Sequence, residues 1–261
     1  MKVILDKSYL DGENTENVLQ LCNNHTAMMI DSLFYELLTT DKKSRARCFS
    51  KIPKKKNPLI LIPNVGQYYR HEMENKRPFE RIELLKEDID FNFNEGMSDE
   101  KFEVSSEVEE LINKDEIETK KSTKAFVDRA RVVREFFGNI ETTESLITGV
   151  ATEESLVREI YNKIIPNEDE YFIDRISPDQ LDSRWVMFRW IQTQVIYGLM
   201  FNERYQGKIP DNLTERSWIN AEHDMLDSDY VLFGSMTGAI ATKDKKIKKI
   251  FIQLCPKGHI F

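Results

Sequence analysis

The stretch Asp224-Met-Leu-Asp227-Ser-Asp229-Tyr230, followed by Gly238-Ala-Ile-Ala-Thr242-Lys243-Asp244, decides the reading of this chain. It describes a helix carrying acids, a turn, and a short apolar strand that ends on Thr-x-Asp. The first residues supply the matching half. Val3-Ile-Leu-Asp6-Lys-Ser8 is an apolar strand that also ends on an aspartate. Strands that each deliver an Asp to the C-terminal edge of one sheet can gather carboxylates there. Carboxylates held close together resist ionisation unless a cation sits among them. A metal-dependent hydrolase is therefore the first functional expectation.

Working outward, the chain of 261 residues can form one large domain or a core with an inserted lobe. It is 40% hydrophobic and 31% charged, which implies a globular, soluble protein. No run approaches the ~18 apolar residues of a membrane span, so no membrane partner is expected. The opening Met-Lys-Val-Ile-Leu-Asp has no signal-peptide pattern. Three widely spaced cysteines, Cys22, Cys48 and Cys255, suggest a reducing cytoplasm and no disulfide framework. Four histidines and no C-x-x-C argue against a structural zinc site. The net charge of -8 leaves nucleic-acid binding open, because a local basic patch matters more than the sum.

The pattern predicts a strand over 2–6, helices over 13–24 and 27–40, and a strand at Leu59–Ile62. Between them, residues 42–56 hold eight Lys or Arg and no acid. Residues 95–119 hold ten acids against two lysines and read as a solvated helix or a polar excursion. Helical patterns follow over 122–138, 143–149 and 153–165. The segment 180–205 is apolar on nearly every face, as a helix in the middle of a domain would be. A helix to about Ser235 and strands at Ala239–Thr242 and Lys249–Leu254 complete the reading. The expected class is α/β, a sandwich whose mainly parallel sheet is covered on both faces.

In three dispersed segments the chain resembles the PIN-domain nucleases. The segments are Ile-Leu-Asp6-Lys-Ser-Tyr-Leu, Asp-Ser-Leu-Phe-Tyr-Glu36-Leu-Leu, and Asp224-x-x-Asp227 followed by Thr242-x-Asp244. The resemblance implies a PIN-like three-layer sandwich with a large, mostly helical insertion. Residues 1–50 and 171–261 would be the catalytic core and 51–170 the insertion. It implies an endoribonuclease using Mg or Mn, with Asp6, Glu36, Asp227 and Asp244 as the acidic quartet. Asp6, Asp224, Asp227 and Asp244 are the candidate metal ligands, with Ser8 and Thr242 as accessories. A toxin or defence role, a protein inhibitor or regulatory partner, and an oligomeric state are further expectations of the same kind.

The chemistry agrees with that implication. Phosphodiester hydrolysis needs a deprotonated water and neutralisation of charge on the phosphoryl oxygens, and hard cations supply both. Magnesium accepts a few carboxylates and keeps waters, so no His or Cys is required. Lys43, Arg45, Arg47, Lys243 and Lys245 are the candidate contacts to RNA phosphates. Tyr68-Tyr69-Arg70-His71 either stacks bases or packs into the domain, packing being the commoner fate.

Each acid also has a plainer reading. Asp6 can be a strand-end turn residue, Glu36 a helix-surface acid, and Asp244 the cap of the Lys-rich helix after it. Asp224, Asp227 and Asp229 can form a solvated helix face. The rival functions are a structure-selective DNA nuclease and a catalytically inactive module that binds RNA or protein. A coincidental resemblance would leave the acids far apart.

Overall fold

The structure is a computed structural model that describes residues 1–79, 91–137, 142–164 and 176–261. In chain order it runs β1 (Lys2–Leu5), α1 (Lys7–Gly12), α2 (Thr15–Asn24), β2 (Thr26–Ile30), α3 (Asp31–Thr39), α4 (Lys42–Ser50) and β3 (Ile60–Ile62). Helices α5 (Val65–Asn75), α6 (Ser106–Val132), α7 (Thr143–Thr152), α8 (Glu154–Ile164), α9 (Val186–Arg204) and α10 (Glu215–Thr237) follow. The chain closes with β4 (Ala239–Ala241), α11 (Lys245–Leu254) and β5 (His259–Ile260).

The protein is α/β, and the five strands among the described residues form one sheet in the order β3-β2-β1-β4-β5 with every neighbouring pair parallel. Val3, Ile4 and Leu5 of β1 are fully buried, as the centre of a sheet covered on both faces demands. The chain adds β2 and β3 on one side of β1, then returns and adds β4 and β5 on the other. Right-handed crossovers in opposite directions put their helices on opposite faces of the sheet. Gly238 makes the return possible. Its φ of +75° ends α10 and turns the backbone directly into β4, a conformation that costs glycine little.

Two compact units divide the chain. The sheet unit is Met1–Asn64, Arg81–Glu118 and Phe233–Phe261, and the helical unit is Val65–Glu80 and Thr119–Leu232. Strand β3 thus belongs to the sheet although it lies inside 51–170, and most of 171–232 belongs to the helical unit. Within the helical unit α9 is the central element, with fourteen of its residues buried. The buried carboxylate of Glu72 on α5 caps it. Glu72 accepts the N–H groups of Val186 at 2.8 Å, Met187 at 3.0 Å and Phe79 at 3.2 Å. Trp185, at the N-cap position itself, makes no side-chain bond, so a distant residue satisfies the free donors of this helix end.

Two segments differ from their sequence reading. Residues 27–40 are not one helix, because Thr26–Ile30 is a strand beside β1 and the helix starts at Asp31. Lys249–Leu254 is the second half of α11 and not a strand, and β5 follows at His259–Ile260. Among the described residues no helix is long and apolar enough to cross a membrane.

Candidate functional site

Parallel strands all point the same way, so the residues after β1, β2, β3 and β4 share one edge of the sheet. The direction of strand addition reverses between β1 and β4, and open α/β sheets bind ligands in the crevice at such a reversal. The residues that follow these two strands are Asp6 and Thr242.

Asp6 has two jobs at that point. Its backbone N–H bonds Ala241 O at 3.0 Å, which extends the β1–β4 pairing. Its carboxylate caps α1 by accepting the Ser8 N–H on Oδ1 at 3.3 Å. Oδ2 accepts the Ser8 hydroxyl and, at 2.5 Å, the Thr242 hydroxyl. Ser8 Oγ in turn accepts the backbone N–H groups of Lys243 at 2.9 Å and Asp244 at 3.2 Å. Thr242 Oγ1 accepts the Asp244 N–H at 3.0 Å. Asp244 caps α11, its Oδ1 taking Lys246 N at 2.6 Å and Ile247 N at 3.0 Å. One network therefore ties the start of α1 to the start of α11 across the sheet edge.

The electrostatics are uncomfortable for Asp6. It is 4% exposed, and burial pushes its pKa above the usual carboxylate range. The Ser8 and Thr242 hydroxyls and the Ser8 N–H pull it back down, and the nearby Asp244 charge raises it further. At the rim, Lys243 pairs with Glu13 and holds that carboxyl down at about 2. The same ammonium lies 5.9 Å from the Tyr9 ring centroid.

Of the residues expected from the sequence, Asp6, Ser8, Thr242 and Asp244 come together here. Glu36 is part-exposed on α3, five residues after its first residue, and is outside this network. A rise of 1.5 Å per residue carries it about 7 Å along the helix from the strand end. Asp224 and Asp227 belong to the helical unit. Asp224 is buried and ion-paired with Arg204, whose Nη2 donates to Oδ1 at 2.9 Å while Nη1 lies 2.8 Å from Oδ2. That pairing engages the Asp224 carboxylate within the helical unit. Among the described residues no three or more His, Cys, Asp or Glu side chains are grouped closely enough to hold a metal ion.

The basic candidates divide in the same way. Lys43 and Lys245 are exposed. Arg45 is not available at the surface, because its guanidinium is buried and donates to Phe102 O at 2.5 Å. Arg47 bonds Asp11 through Nε at 2.8 Å. Tyr68 is buried edge-on to Phe79, with ring centroids 5.1 Å apart, so it packs and does not stack bases.

Sequence reasoning missed Asp31. It follows β2 directly, as Asp6 follows β1, and so stands at the same edge of the sheet. Asp31 is exposed, and the protein around it, with the Asp115 charge, raises its pKa. The signal was present: Met28-Met-Ile-Asp31-Ser32 repeats the apolar-run-then-Asp pattern of Val3-Ile-Leu-Asp6.

No family model matches the chain, and no curated protein or solved structure shows significant similarity to it.

Proposed function

We propose that this chain is a metal-dependent phosphodiester hydrolase of PIN-like type, acting on RNA at the β1–β4 edge. The observation that carries the proposal is the meeting of Asp6, Ser8, Thr242 and Asp244 where strand order reverses. A helix cap or a turn needs one polar side chain. Here two caps, Asp6 on α1 and Asp244 on α11, are joined through the Ser8 and Thr242 hydroxyls, which brings two aspartates to the point where strand order reverses.

The donor set fits a hard cation at its minimum. Asp6 uses three of about four acceptor positions within the protein, and Asp244 commits only Oδ1 to its helix. Magnesium and manganese take oxygen ligands, and magnesium often takes one or two carboxylates and completes its shell with water and substrate phosphate. Asp6 and Asp244 would hold the cation, and Glu36 is the further acid of the sheet unit that the PIN resemblance would add. A cation bound there would neutralise charge on the phosphate and lower the pKa of water. Thr242 and Ser8 fix the Asp6 carboxylate by donating to Oδ2, so it cannot swing away. The N-terminus of α11 adds partial positive charge beside an anionic substrate. A toxin or defence role and a protein inhibitor remain part of the proposal on the resemblance alone.

The test is cleavage of labelled single-stranded RNA and DNA with Mg, with Mn or with EDTA, using the parent chain, Asp6→Asn and Asp244→Asn. RNA cleavage that needs metal and falls at least about a hundredfold in both variants is expected, the scale of losing a preorganised electrostatic group. Cleavage of DNA alone would favour the DNA-nuclease reading. No cleavage of either polymer, with RNA still bound, would favour a binding module.

A further inference from the structure

The most basic stretch of the sequence, residues 42–56, is largely engaged within the protein. Lys42 pairs with Glu103, Arg45 is buried against Phe102 O, and Arg47 bonds Asp11. Lys51 is buried, and its ammonium donates to the carbonyls of Leu10, Asp11 and Glu13. The C-terminal stretch differs. Residues 245–261 hold five lysines and no acid in a chain whose net charge is -8. Lys245, Lys246, Lys248 and Lys249 lie on α11, and Lys257 follows it.

Helix α11 is amphipathic, and its apolar side is already used. Ile247, Ile250, Phe251 and Leu254 recur at i, i+3, i+4 and i+7 and are buried. Lys245, Lys248 and Ile252, at i, i+3 and i+7, share another side. Lys245, Ile252 and Lys257 are exposed and Lys248 is half-buried. Among the described residues no hydrogen bond or ion pair takes up the ammonium of Lys245, Lys248 or Lys257. Lys246 and Lys249 have contacts of their own, and Lys243, just before the helix, pairs with Glu13.

The topology gives this lysine side a direction. The N-cap of α11 is Asp244, at the edge where β1 and β4 end. The helix then returns along the sheet, because β4 and β5 are parallel and His259 pairs with Ala239, the first residue of β4. Ten residues at 1.5 Å each carry the chain roughly 15 Å from Asp244 before Lys257 is reached.

We propose that Lys245, Lys248 and Lys257 carry the phosphate backbone of a single-stranded RNA away from the Asp6–Asp244 edge along α11. The proposal rests on the nuclease reading for the site where that path begins. Charge complementarity selects the occupant: a row of free ammonium groups in an acidic protein suits a polyanion and reads no sequence. A basic amphipathic helix can also lie on an anionic membrane, but its apolar side must then enter the lipid, and here that side is in the core.

Binding can be read without cleavage in an Asp6→Asn background, by fluorescence anisotropy of single-stranded RNA and DNA of about three and about twelve nucleotides. Lys245→Gln/Lys248→Gln should weaken the longer strands about tenfold and lower the salt slope by about 1.4, at about 0.7 per phosphate. Lys245→Arg/Lys248→Arg keeps the charge and should restore both. Lys257→Gln should weaken the longer strands about twofold or more and leave the shorter ones unchanged. The losses should be similar on RNA and DNA, since the contacts are to phosphate. Unchanged affinity and slope in the double Gln variant, or equal weakening of short and long strands by Lys257→Gln, would overturn the proposal. A loss on Ile252→Ser as large as that of the double variant, or stronger competition by polyaspartate than by RNA, would assign the face to a protein partner and overturn it too. Cleavage by the parent chain with unchanged binding in the double variant would sink the path and leave the nuclease reading standing. The expected losses with no cleavage by the parent chain would do the reverse.

Discussion

At the residue scale, Asp6 is held against its own electrostatic preference. A buried carboxylate whose pKa is raised costs stability wherever it must ionise, and the cost is absent where it is protonated in both states. Asn keeps an oxygen for the Ser8 and Thr242 hydroxyls and carries no charge. Its amide would face only the Ser8 N–H, a long contact at 3.3 Å, so relief of the buried charge outweighs that loss: Asp6→Asn is expected to raise the melting temperature by a few degrees in metal-free buffer near neutral pH, while removing activity. Differential scanning calorimetry decides this, and a lower melting temperature would show that Asp6 serves the fold. Lys51 is the opposite case, because its ammonium answers three carbonyls at the end of α1. Lys51→Met leaves those acceptors unmet and should cost about 1–3 kcal/mol in urea unfolding.

Among the elements, α9 depends on a carboxylate supplied by α5. Burial pushes Glu72 up to about 7, and its three backbone donors limit that rise. Between the unfolded carboxyl value and about 7 the folded chain keeps a proton that the unfolded chain has lost. The Glu72 contribution to stability therefore falls as pH rises through that window and is level above it. Glu72→Gln should be less stable by about 1–3 kcal/mol, since an amide N–H then faces one of the donors. Its stability should also lack that part of the slope between pH 5 and 7, which urea titrations across the range would reveal.

The same scale shows what the residue pattern could and could not reveal. Strand β1, β4 and the buried helix α9 were legible because their burial is continuous and bounded by Asp6, Gly238 and Asp182-Ser183. Strand β2 was not, because Ala27-Met-Met-Ile30 favours a helix locally and only pairing with β1 makes it extended. That error hid Asp31. Strand β5 has two residues, too few for any alternation, and α11 carries isoleucines that suit either state. The Asp6–Ser8–Thr242–Asp244 cluster was legible from two short motifs. The Arg204 partner of Asp224 was not, since twenty residues and a turn separate them.

For the whole molecule, a net charge of -8 opposes binding of a polyanion, and local cations must overcome it. RNA affinity should therefore fall steeply with salt, and Lys43→Ala and Lys245→Ala should each flatten the slope by about 0.7 if they meet phosphates. A cation bound between β1 and β4 is the proposed centre of this chemistry, and electron paramagnetic resonance of Mn²⁺ reads it directly. Titrated into the parent chain, Mn²⁺ should lose its free signal in proportion to protein and regain it when Mg²⁺ is added. Asp6→Asn and Asp244→Asn should each leave the signal free. A parent chain that binds no Mn²⁺, or variants that bind it as the parent does, would contradict the account.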